Sequence, residues 1–140
     1  ALTSSSQPIR ILSYNIRLTL ERGISAVVDT IRHINADVVA LQEVGDHWPH
    51  GPNLALAEHL AEQADYAHNI FAGALFEEQG AYGIAMLSRW PLSDAQPELL
   101  PRRDDEQRLV VFDRLRVLCE DLRDGPGLLG LDLVHQLHGF

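Results

Sequence analysis

The segment from residue 24 to residue 41 restricts the fold of this chain more than any other part of the sequence. Between residues 24 and 34, apolar side chains recur with the spacing i, i+3, i+4, i+7 and i+10, which places them on one face of an amphipathic helix. The sequence Asn35-Ala36-Asp37 interrupts this pattern, and the run Val38-Val39-Ala40-Leu41 that follows is continuously apolar. Such a run is typical of a strand that is buried on both faces of a sheet.

A strand is also predicted before this helix. Ile9 and Ile11 are separated by a polar residue and open a strand that ends near Ile16. A strand, a helix and a buried strand within about 35 residues form a βαβ unit, in which the two strands lie side by side and parallel. The sequence therefore predicts an α/β fold with helices packed on a sheet.

The rest of the chain is predicted to contain further strands and one more helix. Two prolines and two histidines in residues 45–53 indicate a loop, and the apolar spacing of residues 54–64 indicates a helix with Asn53 as its N-cap. Residues 91–106, which contain three prolines and a run of charged residues, are predicted to be irregular and solvated. Strands are expected at residues 66–71, 82–87, 109–118 and 128–134.

The charge of the chain limits its partners. The sequence has 11 basic and 20 acidic residues, a formal net charge of −9. Proteins that bind nucleic acid tightly rely on a basic surface that displaces counterions from the phosphates. The sequence has no basic surplus, so nucleic acid is the less favoured partner, and any contact with it must be local or bridged by a metal ion. A phosphate substrate held by a divalent cation is compatible with this charge.

The sequence leaves the localisation open. Its apolar runs are far shorter than the roughly 20 residues that cross a bilayer. A signal peptide is not visible either, because residues 1–8, ALTSSSQP, lack a basic and an apolar region. These eight residues are predicted to form a disordered N-terminal segment.

Two polar residues stand at the carboxyl ends of the first two predicted strands. Asn15 lies in Ser13-Tyr14-Asn15, and Glu43 lies in Leu41-Gln42-Glu43-Val44. Because the carboxyl ends of adjacent parallel strands meet at one edge of a sheet, both side chains can reach one site. Carboxylate and amide oxygens are hard ligands that suit Mg²⁺. The alternatives are a solvated glutamate and an asparagine that stabilises a turn.

Three segments carry a resemblance to a known family. They are Ile11-Leu12-Ser13-Tyr14-Asn15-Ile16, then Asp37-Val38-Val39-Ala40-Leu41-Gln42-Glu43-Val44, and then Tyr82-Gly83-Ile84-Ala85-Met86-Leu87-Ser88-Arg89-Trp90-Pro91-Leu92. In this order and spacing they resemble the endonuclease/exonuclease/phosphatase superfamily, and the resemblance extends over residues 9–116. It implies a deoxyribonuclease I-like fold, a four-layer α/β sandwich with two mixed sheets.

The resemblance also implies roles for individual residues. Glu43 matches the family's metal-binding glutamate, and Asn15 matches an asparagine that holds metal and phosphate and takes part in catalysis. The catalytic histidine of the family corresponds to His138 in Leu137-His138, with His135 as the alternative. Arg89 is either a phosphate contact or a structural residue. The implied cofactor is Mg²⁺ or Mn²⁺, and the implied reaction is attack of water on a metal-bound phosphate.

Two later motifs of the family, Gly-Asp-x-Asn and Ser-Asp-His, do not occur in these 140 residues. The resemblance therefore predicts that residues 9–140 form a partial domain whose second half is missing or diverged. The inner face of the sheet would then lack its covering layer. An apolar face of that size predicts self-association or dependence on another segment.

Three functions are compatible with the sequence. The first is a metal-dependent phosphoester hydrolase with an unidentified substrate. The second is a remnant of that fold that acts as a binding or structural module without catalysis. The third is an unrelated α/β binding protein, although neither of the common glycine-rich phosphate loops is present. Metal-dependent turnover distinguishes the first function from the other two.

Overall fold

The computed structural model describes residues 8–99, 110–121, 127–132 and 135–136. The helices are α1 (Ile24–Ile34) and α2 (Leu56–Gln63), and a short 3-10 helix spans Arg17–Thr19. The strands are β1 (Ile11–Asn15), β2 (Val38–Asp46), β3 (His68–Glu77), β4 (Gly80–Ser88), β5 (Leu92–Leu99), β6 (Val110–Asp121), β7 (Gly127–Asp132) and β8 (His135–Gln136). In this described part of the chain, neither helix has the length and apolar character needed to cross a membrane.

The βαβ unit predicted from the sequence is present. β1 pairs in parallel with β2, from Ile11 opposite Val38 to Asn15 opposite Gln42, and α1 connects the two strands. β4 pairs antiparallel with both β2 and β3, so that the first sheet is mixed and has the order β1-β2-β4-β3. In the second sheet β5, β6 and β7 are antiparallel neighbours, and β8 also pairs with β6.

Each face of the first sheet contributes to a separate apolar core. One face packs against the two helices, and its core includes Val27, Ile31, Val39, Leu41, Leu56, Leu60, Ala85 and Leu87. The other face packs against β6, and that core includes Val38, Ala40, Ile84, Met86, Val110, Phe112, Leu115 and Val117. Full burial of one such Leu, Ile or Phe side chain contributes about 1.5–3 kcal/mol. The molecule is therefore layered as helices, first sheet and second sheet.

The inner face of the first sheet is open over a smaller area than the sequence predicts. The second sheet covers β2, β3 and β4 on that side, because β6 supplies its own apolar side chains. The uncovered part is β1, whose Leu12 and Tyr14 pack on the helix side while Ile11, Ser13 and Asn15 on the opposite side are exposed. Ile11 is 50% exposed.

Several predicted boundaries were wrong. β2 continues to Asp46, so that the following loop starts later than predicted, and α2 begins after Ala55 without a side-chain cap from Asn53. The stretch predicted to be irregular contains β5, which tolerates Pro97 because it is an edge strand. The predicted N-terminal segment up to residue 7 and the charged run at 102–106 lie outside the described residues.

Candidate functional site

The two strand ends predicted to form a site lie next to each other. Asn15 is the last residue of β1 and pairs with Gln42, the residue before Glu43. The backbone N–H of Ile16 donates to the Gln42 carbonyl at 3.1 Å, which continues the pairing by one residue. Asn15 is exposed and Glu43 is half-buried. The structure thus brings the two predicted ligands to one edge of the sheet.

A β-bulge places Glu43 outside the regular pattern of β2. Gln42 pairs with Ile84 and Val44 with Gly83, so that Glu43 has no partner residue in β4. Its φ of +55° lies in the left-handed region, which costs a residue other than glycine of order 1–3 kcal/mol. A bulge of this kind bends the strand and changes the direction of a side chain.

The bulge also changes which face of the sheet the residues after Glu43 reach. In a regular strand, side chains three residues apart lie on opposite faces. Leu41 and Val44 are three residues apart, yet both pack in the core on the helix side. The extra residue at position 43 accounts for this shift. After burial, the negative charge of Glu43 is the second cause of the raised pKa of Tyr82, a residue of the core between the two sheets.

Asn15 stabilises a turn, as the structural alternative for this residue predicted. Its Oδ1 accepts a hydrogen bond from the backbone N–H of Arg17 at 3.0 Å. Arg17, Leu18 and Thr19 follow with φ values of +49°, +55° and +62°, and Leu18 is buried in the core between the sheets. An amide oxygen has two lone pairs. The turn therefore leaves Asn15 one acceptor position and its NH₂ group for a ligand.

A cavity of about 430 Å³ opens beside Asn15. Its polar lining consists of Tyr14, Asn15, Arg17, Glu21, Arg22 and Thr30. Arg17 and Glu21 form an ion pair of 2.7 Å in which both side chains are more than half exposed. The volume is within the range of small-molecule sites, so the cavity can receive a small ligand next to the strand ends.

Tyr82 pairs with Gly45, two residues after Glu43, and its sequence position predicted no function. It is 1% exposed and packs against Trp48, with 5.5 Å between ring centroids. Burial, and secondarily the charge of Glu43, raises the pKa of the Tyr82 phenol. The segment Tyr82–Leu92 was part of the resemblance, but a sequence does not show which tyrosine lies near a carboxylate.

Arg89 lies at the other end of the first sheet. Its backbone N–H donates to the Asp37 carbonyl at 3.1 Å, six residues before Glu43. At about 3.3 Å per residue, this is about 20 Å away along the strand. The guanidinium donates to Asn35 Oδ1, forms an ion pair with Asp37 at 3.3 Å and lies 5.3 Å from the centre of the Tyr66 ring. The structure does not bring Arg89 to the other predicted residues, and these contacts favour its structural role.

The structure describes one of the two candidate histidines in part and the other not at all. His138 lies outside the described residues. The alternative, His135, belongs to β8, and its backbone pairs with Phe112 of β6. The position of its side chain is outside the described part of the chain, so both assignments stay predictions.

The described residues fit a cation that keeps much of its water. Among them, no group of three or more His, Cys, Asp and Glu side chains could hold a metal ion. A structural zinc site made from these residues would need four ligands, and a catalytic one three. Mg²⁺ is commonly bound by one or two carboxylates, several waters and the substrate phosphate. The amide of Asn15 at the end of β1 and the carboxylate of Glu43, just beyond the β1–β2 pairing, fit that requirement.

Comparison with known proteins gives the family. Residues 12–133 match the Endonuclease/Exonuclease/phosphatase family, and the chain belongs to it. The order of its elements and its mixed first sheet agree with the deoxyribonuclease I-like fold that the sequence predicted. The lineage is one of phosphoesterases and nucleases. A search of curated proteins gave no match.

Solved structures of the family resemble the chain in fold. An endonuclease/exonuclease/phosphatase from Beutenbergia cavernae superposes with a TM-score of 0.64 at 22% identity over 91% of this chain. A family protein from Leptotrichia buccalis superposes with a TM-score of 0.60 at 18% identity over 94% of this chain. ANGEL2, a 2′,3′-cyclic phosphatase, superposes with a TM-score of 0.52 at 21% identity over 79% of this chain. The chain spans 38%, 55% and 36% of the lengths of these structures.

Proposed function

We propose that this chain carries the metal-binding half of a divalent-metal-dependent phosphoester hydrolase. The observation that carries the proposal is the position of Asn15 at the end of β1 and of Glu43 just beyond the point where β1 and β2 stop pairing, with an open cavity beside Asn15. Family membership supplies the reaction class, since the lineage consists of phosphoesterases and nucleases.

In the proposed site, each residue has a separate task. A bound Mg²⁺ or Mn²⁺ would polarise a phosphoryl oxygen and stabilise the charge that develops during attack by water. Glu43 supplies a carboxylate for that ion, and Asn15 orients the ion or the phosphate through its amide. His138, or alternatively His135, is the proposed group that takes the proton from water. Arg89 has no part in the proposed site.

The proposed substrate is a small phosphoester rather than bulk nucleic acid. A net charge of −9 disfavours non-specific contact with a polyanion. Metal-bound phosphate is less affected, because the cation offsets the local negative charge. ANGEL2, one of the similar structures, is a 2′,3′-cyclic phosphatase, which is compatible with a small substrate for this chain.

The second candidate is a binding or structural module without catalysis. It is compatible with the absence of the later family motifs from these 140 residues. Such a module would retain metal affinity at Glu43 without turnover. Binding and turnover therefore have to be measured separately.

The test is release of nitrophenol from bis(p-nitrophenyl) phosphate with Mg²⁺ or Mn²⁺, together with Mn²⁺ binding followed by electron paramagnetic resonance. Loss of an outer-shell partner commonly lowers metal affinity or activity about 10–100-fold, so Glu43→Gln is expected to lose at least about 100-fold. The matched control is Glu62→Gln, a change on the exposed side of α2. If the unsubstituted chain binds Mn²⁺ but releases no nitrophenol, the module without catalysis is supported. If Glu43→Gln binds Mn²⁺ as well as the unsubstituted chain does, the proposed metal site at Glu43 is contradicted.

A further inference from the structure

The cavity beside Asn15 is built from one continuous part of the chain. Its lining residues all lie between positions 14 and 30, which comprise the end of β1, the segment that follows it and the first two turns of α1. β1 is an edge strand of the first sheet, and none of the described residues of β2 lines the cavity. Asn15 is therefore the residue that the cavity shares with the proposed metal site.

The backbone of the segment after β1 is held in place by its own hydrogen bonds. The N–H groups of Thr19 and Gly23 donate to the carbonyls of Ile16 and Thr19, both at 2.8 Å. Ile16, Leu18 and Thr19 are 4%, 7% and 3% exposed, whereas residues 20–22 are exposed. The buried side chains anchor the segment, so its charged side chains extend from a fixed backbone.

Two arginines line this cavity, and their surroundings differ. Arg17 forms its ion pair with Glu21, which also lines the cavity. Arg22 is exposed and has neither a hydrogen bond nor an ion pair with any other described residue. A guanidinium carries five N–H donors in a planar fork that matches phosphate and carboxylate oxygens. Arg22 is therefore available to an anion, and Arg17 can join it when that anion competes with Glu21.

The charge of the cavity contrasts with the charge of the whole chain. Two arginines and one glutamate give the lining a local surplus of one positive charge, although the chain has a net charge of −9. The volume of about 430 Å³ is within the range of small-molecule sites. A small anionic group is therefore attracted to this cavity from among the acidic surfaces around it.

We propose that the cavity binds a second anionic group of the substrate, a phosphate or carboxylate separate from the phosphoester under attack. Arg22 supplies the main contact, and Arg17 supplies the second. Binding of the anion itself is independent of the proposed function, but its assignment to the substrate rests on that function. The substrate class is thereby narrowed to small phosphoesters that carry at least two anionic groups.

The first test is a proton–nitrogen NMR titration of the metal-free chain with inorganic phosphate, compared with Arg22→Gln. The substitution removes the charge, and affinity is expected to fall about tenfold with loss of the charge-assisted hydrogen bonds. The matched control is Arg10→Gln, an exposed arginine just before β1. Arg10 is about 17 Å along the strand from Asn15, beyond the Debye length of about 8 Å at about 0.15 M salt. The control is therefore expected to bind phosphate like the unsubstituted chain.

A second pair of variants tests the cavity by a gain in affinity, which damage to the fold does not produce. Glu21→Gln removes the carboxylate that pairs with Arg17, and phosphate affinity is expected to rise about threefold, on the scale of an exposed ion pair. Glu62→Gln makes the same change of charge on the exposed side of α2. An equal rise in both variants would show an effect of net charge alone and would overturn the inference.

The source of the anion is tested with alkane bisphosphonates of increasing chain length in the presence of Mn²⁺. If the cavity and the metal site bind one substrate, a bisphosphonate that spans both is expected to bind at least about tenfold more tightly than inorganic phosphate. Arg22→Gln and Glu43→Gln should each remove this gain. If phosphate binds in the cavity and no bisphosphonate gains from Mn²⁺, the cavity takes a separate anion and the assignment to the substrate is overturned.

The outcomes separate this inference from the proposed function. If Glu43→Gln binds Mn²⁺ normally, the proposed function fails, and the metal-free titration still decides whether the cavity is an anion site. If Glu43→Gln loses Mn²⁺ while Arg22→Gln binds phosphate like the unsubstituted chain, the metal site stands and the anion site is overturned. Absence of phosphate binding by the unsubstituted chain, or equal losses in Arg22→Gln and Arg10→Gln, would overturn it as well.

Discussion

Arg89 connects three elements through one side chain. It follows β4, its guanidinium donates to Asn35 at the end of α1, and it pairs with Asp37 just before β2. The planar guanidinium also lies over the Tyr66 ring. Arginine suits this position better than lysine, because its fork of donors can satisfy two acceptors while its flat face contacts an aromatic ring. These contacts hold together the end of α1, the start of β2 and the residue that follows β4.

Replacement of Arg89 by alanine is expected to lower the free energy of unfolding by about 1–2 kcal/mol, since hydrogen bonds to charged groups contribute about 1.5–3 kcal/mol and this one is partly solvated. Urea unfolding measures the change. The control is Arg17→Ala, which removes only an exposed ion pair with Glu21 and should cost less than about 1 kcal/mol. Loss of phosphoesterase activity in Arg89→Ala without loss of stability would instead restore the phosphate-contact interpretation.

At the scale of elements, β3 and β4 approach each other closely at a pair of glycines. Gly83 pairs with Gly73, and a Cβ at Gly83 would overlap the carbonyl of Ala72. A bulge at Ala74 shifts the register just after this contact. The glycine of the third family-like segment is therefore required by packing between two strands.

The substitution Gly83→Ala is predicted to destabilise the chain by about 3 kcal/mol, because the added methyl meets backbone that can move only if the strands separate. Thermal or urea unfolding gives the value. Gly51→Ala is the matched control: its added Cβ would lie 3.5 Å from Leu18 atoms, an ordinary contact. That variant should stay within about 0.5 kcal/mol of the unsubstituted chain. Equal losses in both variants would show that the Ala72 contact is not the cause.

The elements differ in how far the sequence predicted them. α1 was predicted with its observed residues, because its apolar spacing is regular and Asn35 tolerates the left-handed conformation that ends it. β5 was missed, since proline argues against a strand unless the strand is known to lie at an edge. The bulge at Glu43 could not be predicted: in a strand buried on both faces, the sequence has no alternation that a shift would interrupt.

As a whole, the described part of the molecule has three layers and an open region at one edge of the first sheet. That region is the inner side of β1, with Ile11 half exposed and Ile9 37% exposed. β1 is also an edge strand of the first sheet. An exposed edge strand with apolar side chains can pair with another chain, so the self-association predicted from the sequence is here proposed for this smaller surface.

Sedimentation velocity over a range of concentrations is expected to show self-association of the chain and its reduction in Ile11→Glu. The added charge disfavours burial of the β1 face in a contact between copies. Phe76→Glu is the control, since Phe76 is also exposed but lies on β3, at the other edge of the sheet. A concentration-independent monomer mass for the unsubstituted chain would contradict the prediction, as would equal reduction by both variants.

The sequence predicted only the part of the site that follows from the order and direction of the strands. Parallel strands with polar residues at their ends place Asn15 and Glu43 together. Arg89 shows the limit of this reasoning: it lies in a family-like segment, but β4 runs antiparallel to β2 and carries it to the opposite end. The burial of Tyr82 near Glu43 in the sheet depends on packing between strands that are far apart in sequence.

The left-handed backbone conformation of Glu43 lowers the stability of the fold, whereas the proposed metal site needs its carboxylate. At a φ of +55°, glycine or asparagine is tolerated more easily than glutamate. A library of variants selected only for resistance to heat would therefore tend to replace Glu43, and the survivors would fold well without the carboxylate. A strained glutamate where a less strained residue would fold as well is what selection for the proposed ligand role, rather than for stability, would leave at this position.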